Sequence, residues 1–123
     1  MRQNISGQCS YEPIIGFSRA VRIGNTIHVS GTGPVSADEA SAAEQTRHIL
    51  TTIAGVLAQA GATMENVVRT GIYLTDAEDW ESVGRVHGKF FQHIRPAATM
   101  VVVAKLLHPS WRVELEAEAV IGG

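Results

Sequence analysis

The sequence predicts an α+β fold in which two helices cover one face of a sheet, in the order β-β-β-α-β-α-β-β with the third strand short. Three observations carry this expectation. The segment from Ala98 to Leu107 is apolar on both faces, Thr99, Val101 and Val103 alternating with Met100, Val102 and Ala104, so it reads as a strand covered on both sides. The segment from Arg112 to Ile121 alternates strictly, setting Val113, Leu115, Ala117, Ala119 and Ile121 against Arg112, Glu114, Glu116, Glu118 and Val120. Ile49, Ile53, Val56, Leu57 and Ala60 form one stripe at helical spacing.

In chain order, Met1 to Pro13 lacks periodicity and reads as an extended arm. Gly16 to Ile23 and Thr26 to Ser30 are short strand-like runs around the turn signal Gly24-Asn25. Phe17, Arg19 and Val21 share a face of the first. Ser30-Gly31-Thr32-Gly33-Pro34 is expected to break the second; its Gly-x-Gly lacks the third glycine and the lysine of a phosphate loop. Ser41 to Ala60 is a helix stopped by Gly61, and Val67 to Leu74 is a strand. Thr75-Asp76-Ala77-Glu78 is a capping box opening a second helix, with Trp80, Val83, His87, Phe90 and Phe91 on its inner side. Arg95-Pro96 ends that helix, because the residue before a proline is pushed out of helical space. Two helices cover only one face of such a sheet. The apolar residues on the other face of the Ala98 segment therefore call for a second copy packed sheet to sheet.

Composition narrows the function. A length of 123 residues fits one domain, and 45% apolar with 18% charged residues is ordinary for a globular chain. A net charge of −2 with scattered Arg and Lys gives no basic footprint for nucleic acid. The single cysteine, Cys9, excludes an internal disulfide, and no long apolar run points to a membrane, so the expected location is the cytoplasm. The histidines at 28, 48, 87, 93 and 108 show no metal-ligand spacing, so no metal or other cofactor is expected. There is no Gly-x-Ser-x-Gly elbow, and Cys9 lies in the arm, so neither a Ser nor a Cys nucleophile is indicated. Glu116 is the stronger candidate. Glu114 and Glu118 flank it on one strand face, and like charges at that spacing favour its protonated form, as a general base or acid near neutral pH needs. The competing reading is a solvated strand carboxylate. His87 reads first as a core histidine with a satisfied hydrogen bond, Arg19 as a carboxylate clamp or a surface ion pair, and Trp80 and Trp111 as packing residues.

The start Arg95-Pro96-Ala97, the run of valines, and the close Val113-Glu-Leu-Glu-Ala-Glu-Ala-Val120 resemble the C-terminal signature of the RidA/YjgF family, also called endoribonuclease L-PSP-like. The resemblance spans Gly16 to Val120 and includes Gly24-Asn-Thr-Ile-His-Val-Ser-Gly31, Ala60-Gly61, Thr75-Asp76 and Phe90-Phe91. It implies a chorismate-mutase-like fold, a six-stranded mixed sheet with two helices on one face. It also implies a homotrimer with a small-molecule ligand in clefts between subunits, and hydrolysis of reactive imines or enamines to ketones and ammonia. By the same resemblance Ser30 matches the cleft serine, Glu116 the water-activating glutamate, and Phe17 a position usually held by tyrosine. The active deaminases carry an arginine directly after Pro-Ala; here that residue is Ala98, and a cysteine common two residues on is Met100. With the arginine goes the bidentate grip on a substrate carboxylate. Arg19 or Arg95 is then the candidate replacement, with backbone amides near Gly31 and Met100 to hold the carbonyl or leaving group, and His87 completes the substrate-binding set. The expected function is a hydrolase or deaminase of a small imine or enamine, the alternative being a trimer that binds a small metabolite without turnover. An acidic chain gives no support to a ribonuclease.

Overall fold

The computed structural model describes residues 1–122. Its strands are β1 (Arg2–Ile5), β2 (Ala20–Ile23), β3 (Thr26–Thr32), β4 (Val67–Leu74), β5 (Ala97–Val102) and β6 (Val113–Val120); its helices are α1 (Ala42–Gln59) and α2 (Trp80–Phe91). They form one six-stranded sheet in the order β1-β2-β3-β6-β4-β5. All neighbours are antiparallel except β4 and β5, which α2 joins as a parallel pair. The sheet is mixed, the fold is α+β, and the element order is the expected one.

Alternation along the strands sorts residues between two environments. Ile27, Val29, Ile72, Leu74, Val113, Leu115, Ala117 and Ala119 are all buried beneath the helices. From above, α1 inserts Ile49, Leu50, Ile53 and Leu57, and α2 adds Val83, Val86 and Phe91. Ser41 caps α1 through its hydroxyl, which accepts the Glu44 N–H at 3.2 Å. The opposite face of the sheet carries no helix, and Glu114, Glu116 and Glu118 lie on it half-buried.

Several boundaries differ from expectation, each for a local reason. The arm contains a strand: β1 pairs with β2, and this is the third strand of the opening group, rather than a short strand after Ser30. β2 begins at Ala20 instead of Gly16 because Glu12–Gly16 coils into a π-type turn with Pro13 at its start and Gly16 at φ 91°. β3 is not broken at Ser30. It runs on to Thr32 through a β-bulge, since Val29 pairs with Ala117 and Thr32 with Leu115, leaving Ser30 and Gly31 both opposite Glu116. β5 stops at Val102 instead of Leu107, and the chain beyond it is held by side chains. The buried Gln45 amide donates to the carbonyls of Asp38, Ala40 and Ser110 and accepts the Arg112 N–H at 2.8 Å. At the second helix Asp76, not Thr75, is the cap: its carboxylate accepts the Glu78 N–H at 2.9 Å over a 3₁₀ turn, and α2 starts after it. Trp80 is 61% exposed rather than on the inner side. Trp111 does pack: its indole donates to Asp38 at 3.0 Å, stacks on His108, and covers Gly33, where a Cβ has no room.

Candidate functional site

Strand β6 is central, and its even-numbered residues project from the helix-free face. Glu116 lies opposite Gly71 of β4, and its side chain occupies the space a Cβ at Gly71 would take, 2.8 Å from Oε2. Tyr73, two residues along β4 on the same face, donates its hydroxyl to Glu116 Oε2 at 2.9 Å. That bond and burial raise the phenol's pKa above its ordinary value. On the other flank the bulge presents Ser30 and Gly31. The Ser30 hydroxyl donates to the Ser18 carbonyl at 2.6 Å and its N–H to the Arg19 carbonyl at 3.0 Å.

Glu114 lies against Gly31, whose carbonyl accepts a hydrogen bond from the Arg19 guanidinium. Burial raises the Glu114 pKa above the usual carboxylate value; the nearby Arg19 charge opposes the shift and the Glu116 charge adds to it. Arg19 also sits 6.0 Å from the Phe17 ring centre. At the far end Glu118 has His28 at 3.2 Å and Arg69 at 4.0 Å. Between these groups a cleft of ≈ 260 Å³ is lined by His28, Arg69, Gly71, Glu116 and Glu118.

Of the residues singled out from sequence, Phe17, Arg19, Ser30, Gly31 and Glu116 therefore cluster around the helix-free face. The others do not join them within one chain. His87 lies under α2 with Nε2 2.9 Å from the buried Thr70 hydroxyl and its ring 4.6 Å from Phe91; burial lowers its pKa. Ala98 pairs with Thr70 and Met100 with Ile72, so both point to the helix side, Met100 packing beside Gly84. Arg95 follows α2 at φ 60°, exposed, its N–H bonded to the Phe91 carbonyl. Two residues escaped the sequence reading, Gly71 and Tyr73. Their signal is the pattern Arg69-x-Gly71-x-Tyr73, a glycine between two long polar side chains on one strand face. Among the described residues no group of three or more His, Cys, Asp or Glu side chains is placed to hold a metal, and no helix is long and apolar enough to cross a membrane. A larger cavity of ≈ 720 Å³ lies between the arm and α1, lined by Cys9, Glu12, Arg19, His48 and Thr52 among others.

Chemically, the helix-free face offers a carboxylate with one oxygen fixed by a phenol and the other left as acceptor. Such a group can take a proton from water. The family model described as Endoribonuclease L-PSP matches residues 8–121. The 2-iminobutanoate/2-iminopropanoate deaminase of Dermatophagoides farinae is 34% identical over 129 residues, covering 95% of this chain and 94% of that protein. The 3-aminoacrylate deaminase RutC of Acinetobacter baylyi is 31% identical, covering 87% and 88%. The crystal structure of a YjgF/YER057c/UK114 family member from Mycobacterium tuberculosis superposes with a TM-score of 0.93 at 45% identity, covering 98% of this chain and all (100%) of that one.

Proposed function

The chain belongs to the Endoribonuclease L-PSP family, the RidA/YjgF proteins, and from that premise we propose that it hydrolyses a small imine or enamine to a carbonyl compound and ammonia. One observation supports this above the rest: a bulge sets Ser30 and Gly31 opposite a glutamate whose carboxylate is held by a phenol. Glu116 orients a water and takes its proton as the water oxygen bonds to the imine carbon. The tetrahedral carbinolamine then receives that proton at nitrogen, and as its hydroxyl proton passes to the Glu116 carboxylate the C=O bond forms, the C–N bond breaks, and ammonia leaves, taking up the proton from Glu116 as ammonium. Ser30, its own proton engaged on Ser18, accepts from an N–H of the substrate. The working site lies between subunits of a homotrimer. In support, the helix-free face is open in one chain, while Ala98, Met100 and Arg95 lie away from Glu116 and can reach such a site only from a neighbouring subunit. That arrangement also gives Ala98, standing where the family's deaminases carry an arginine, its place beside the substrate.

The test is ammonia release from a panel of small imines and enamines generated in place. Wild type should accelerate at least one of them, and Glu116→Gln should lose ~100-fold or more of that acceleration, the usual share of general acid–base catalysis. An unchanged rate in Glu116→Gln would overturn the assigned role. Saturable binding with no product from any member of the panel would make the cleft a metabolite-binding site instead.

A further inference from the structure

We infer that the site takes a protonated imine without a carboxylate, an iminium derived from an amine and not from an amino acid. This rests on the reading that Glu116 activates water, and it names the substrate class of that same site. The first ground is charge. Within one chain each basic side chain around Glu116 already faces another glutamate: Arg69 and His28 face Glu118, and Arg19 meets Glu114 at Gly31. Glu116 has only the neutral Tyr73 hydroxyl, and among the described residues no cationic side chain lies within 4.0 Å of it. A substrate cation there completes the pairing; a carboxylate adds a fourth negative charge to three glutamates on one strand face.

The second ground is hydrogen-bonding sense, and it is independent of net charge. The Ser30 hydroxyl proton goes to Ser18, the Arg19 guanidinium donates to Gly31, and the Tyr73 proton goes to Glu116. The two hydroxyls beside Glu116, those of Ser30 and Tyr73, thus have their protons engaged and present lone pairs. An iminium, C=NH₂⁺, supplies two N–H donors to those acceptors. A carboxylate supplies only further acceptors and leaves both partners unsatisfied, the mismatch that polar sites reject most strongly. The net reaction is iminium plus water to aldehyde or ketone plus ammonium, with no change of oxidation state.

Two probes with matched carbon chains separate the classes: propan-1-imine, made in place from propylamine by an amine oxidase, and 2-iminobutanoate, made from 2-aminobutanoate by an amino-acid oxidase, both with catalase present. The decay of each imine is followed with wild type, with Glu116→Gln and without protein. Wild type should accelerate propan-1-imine at least ~10-fold more than 2-iminobutanoate, and Glu116→Gln should accelerate neither. Equal or greater acceleration of 2-iminobutanoate overturns this inference and leaves the hydrolase reading standing. No acceleration of either probe beyond the Glu116→Gln level overturns both.

Discussion

At Gly71 the absence of a side chain makes room for the Glu116 carboxylate. A Cβ there would lie 2.8 Å from Glu116 Oε2 and 3.0 Å from its Cγ, so Gly71→Ala has to displace the carboxylate from the Tyr73 hydroxyl. The expected outcome is a ~10- to 100-fold fall in kcat, since small misplacements of a reacting group are costly. Urea unfolding should shift by no more than ~1 kcal/mol, because alanine in a strand loses less chain entropy than glycine. An unaltered kcat would show that the phenol–carboxylate contact is dispensable. Glu114 carries the pH dependence. Its pKa is raised on folding, so just above the ordinary carboxylate range the folded state still holds a proton that the unfolded chain has released. Stability from this group therefore falls as pH rises through that interval. Glu114→Gln should gain on wild type in urea unfolding as pH climbs from ~4 toward 7, starting near the usual glutamate pKa; a gain that shrinks instead would mean the Arg19 charge outweighs burial. Glu114 also marks a limit of sequence reading. Alternation places it beside Glu116 on one strand face, yet nothing in the alternation tells that Gly31 opens a space into which its carboxylate sinks.

Among elements, the helices and the last strand were legible because one period dominates each. The α1 stripe and the strict alternation of β6 admit a single reading, and β4 runs from Val67 to Leu74 as its pattern predicts. Where a tertiary contact decides, the pattern is silent. Ser30-Gly31 looks like a strand terminator, but antiparallel pairing with β6 carries β3 through it as a bulge. The residues after Val102 look like strand, but Gln45, bonded to the Ser110 carbonyl and the Arg112 N–H, holds the returning chain as a loop and ties it to the Asp38 and Ala40 carbonyls. Gln45→Ala tests that account. It orphans carbonyls of two loops and the Arg112 N–H, and should destabilise the fold by ~2–4 kcal/mol in urea unfolding. A change below ~0.5 kcal/mol would show that water replaces the amide without cost.

For the whole molecule, the layered arrangement makes a demand that one chain does not meet. The helix-free face exposes Val101 at 42%, beside Tyr73, in a sheet whose opposite face is packed with aliphatic side chains. Light scattering should return three times the chain mass, and Val101→Arg should reduce it toward one, because an arginine at that position leaves a charge buried between sheets. A wild-type monomer would remove the intersubunit site. The alternation of β6 has a last consequence, and it concerns descent. Odd residues on that strand fix the interior and even residues lie on the helix-free face, so the two sets answer to different selection pressures although they are interleaved along eight residues. A lineage can exchange one set while the other is held still. Ancestors of this chain could thus change what that open face meets, one peptide unit away from the core, without passing through forms that fail to fold.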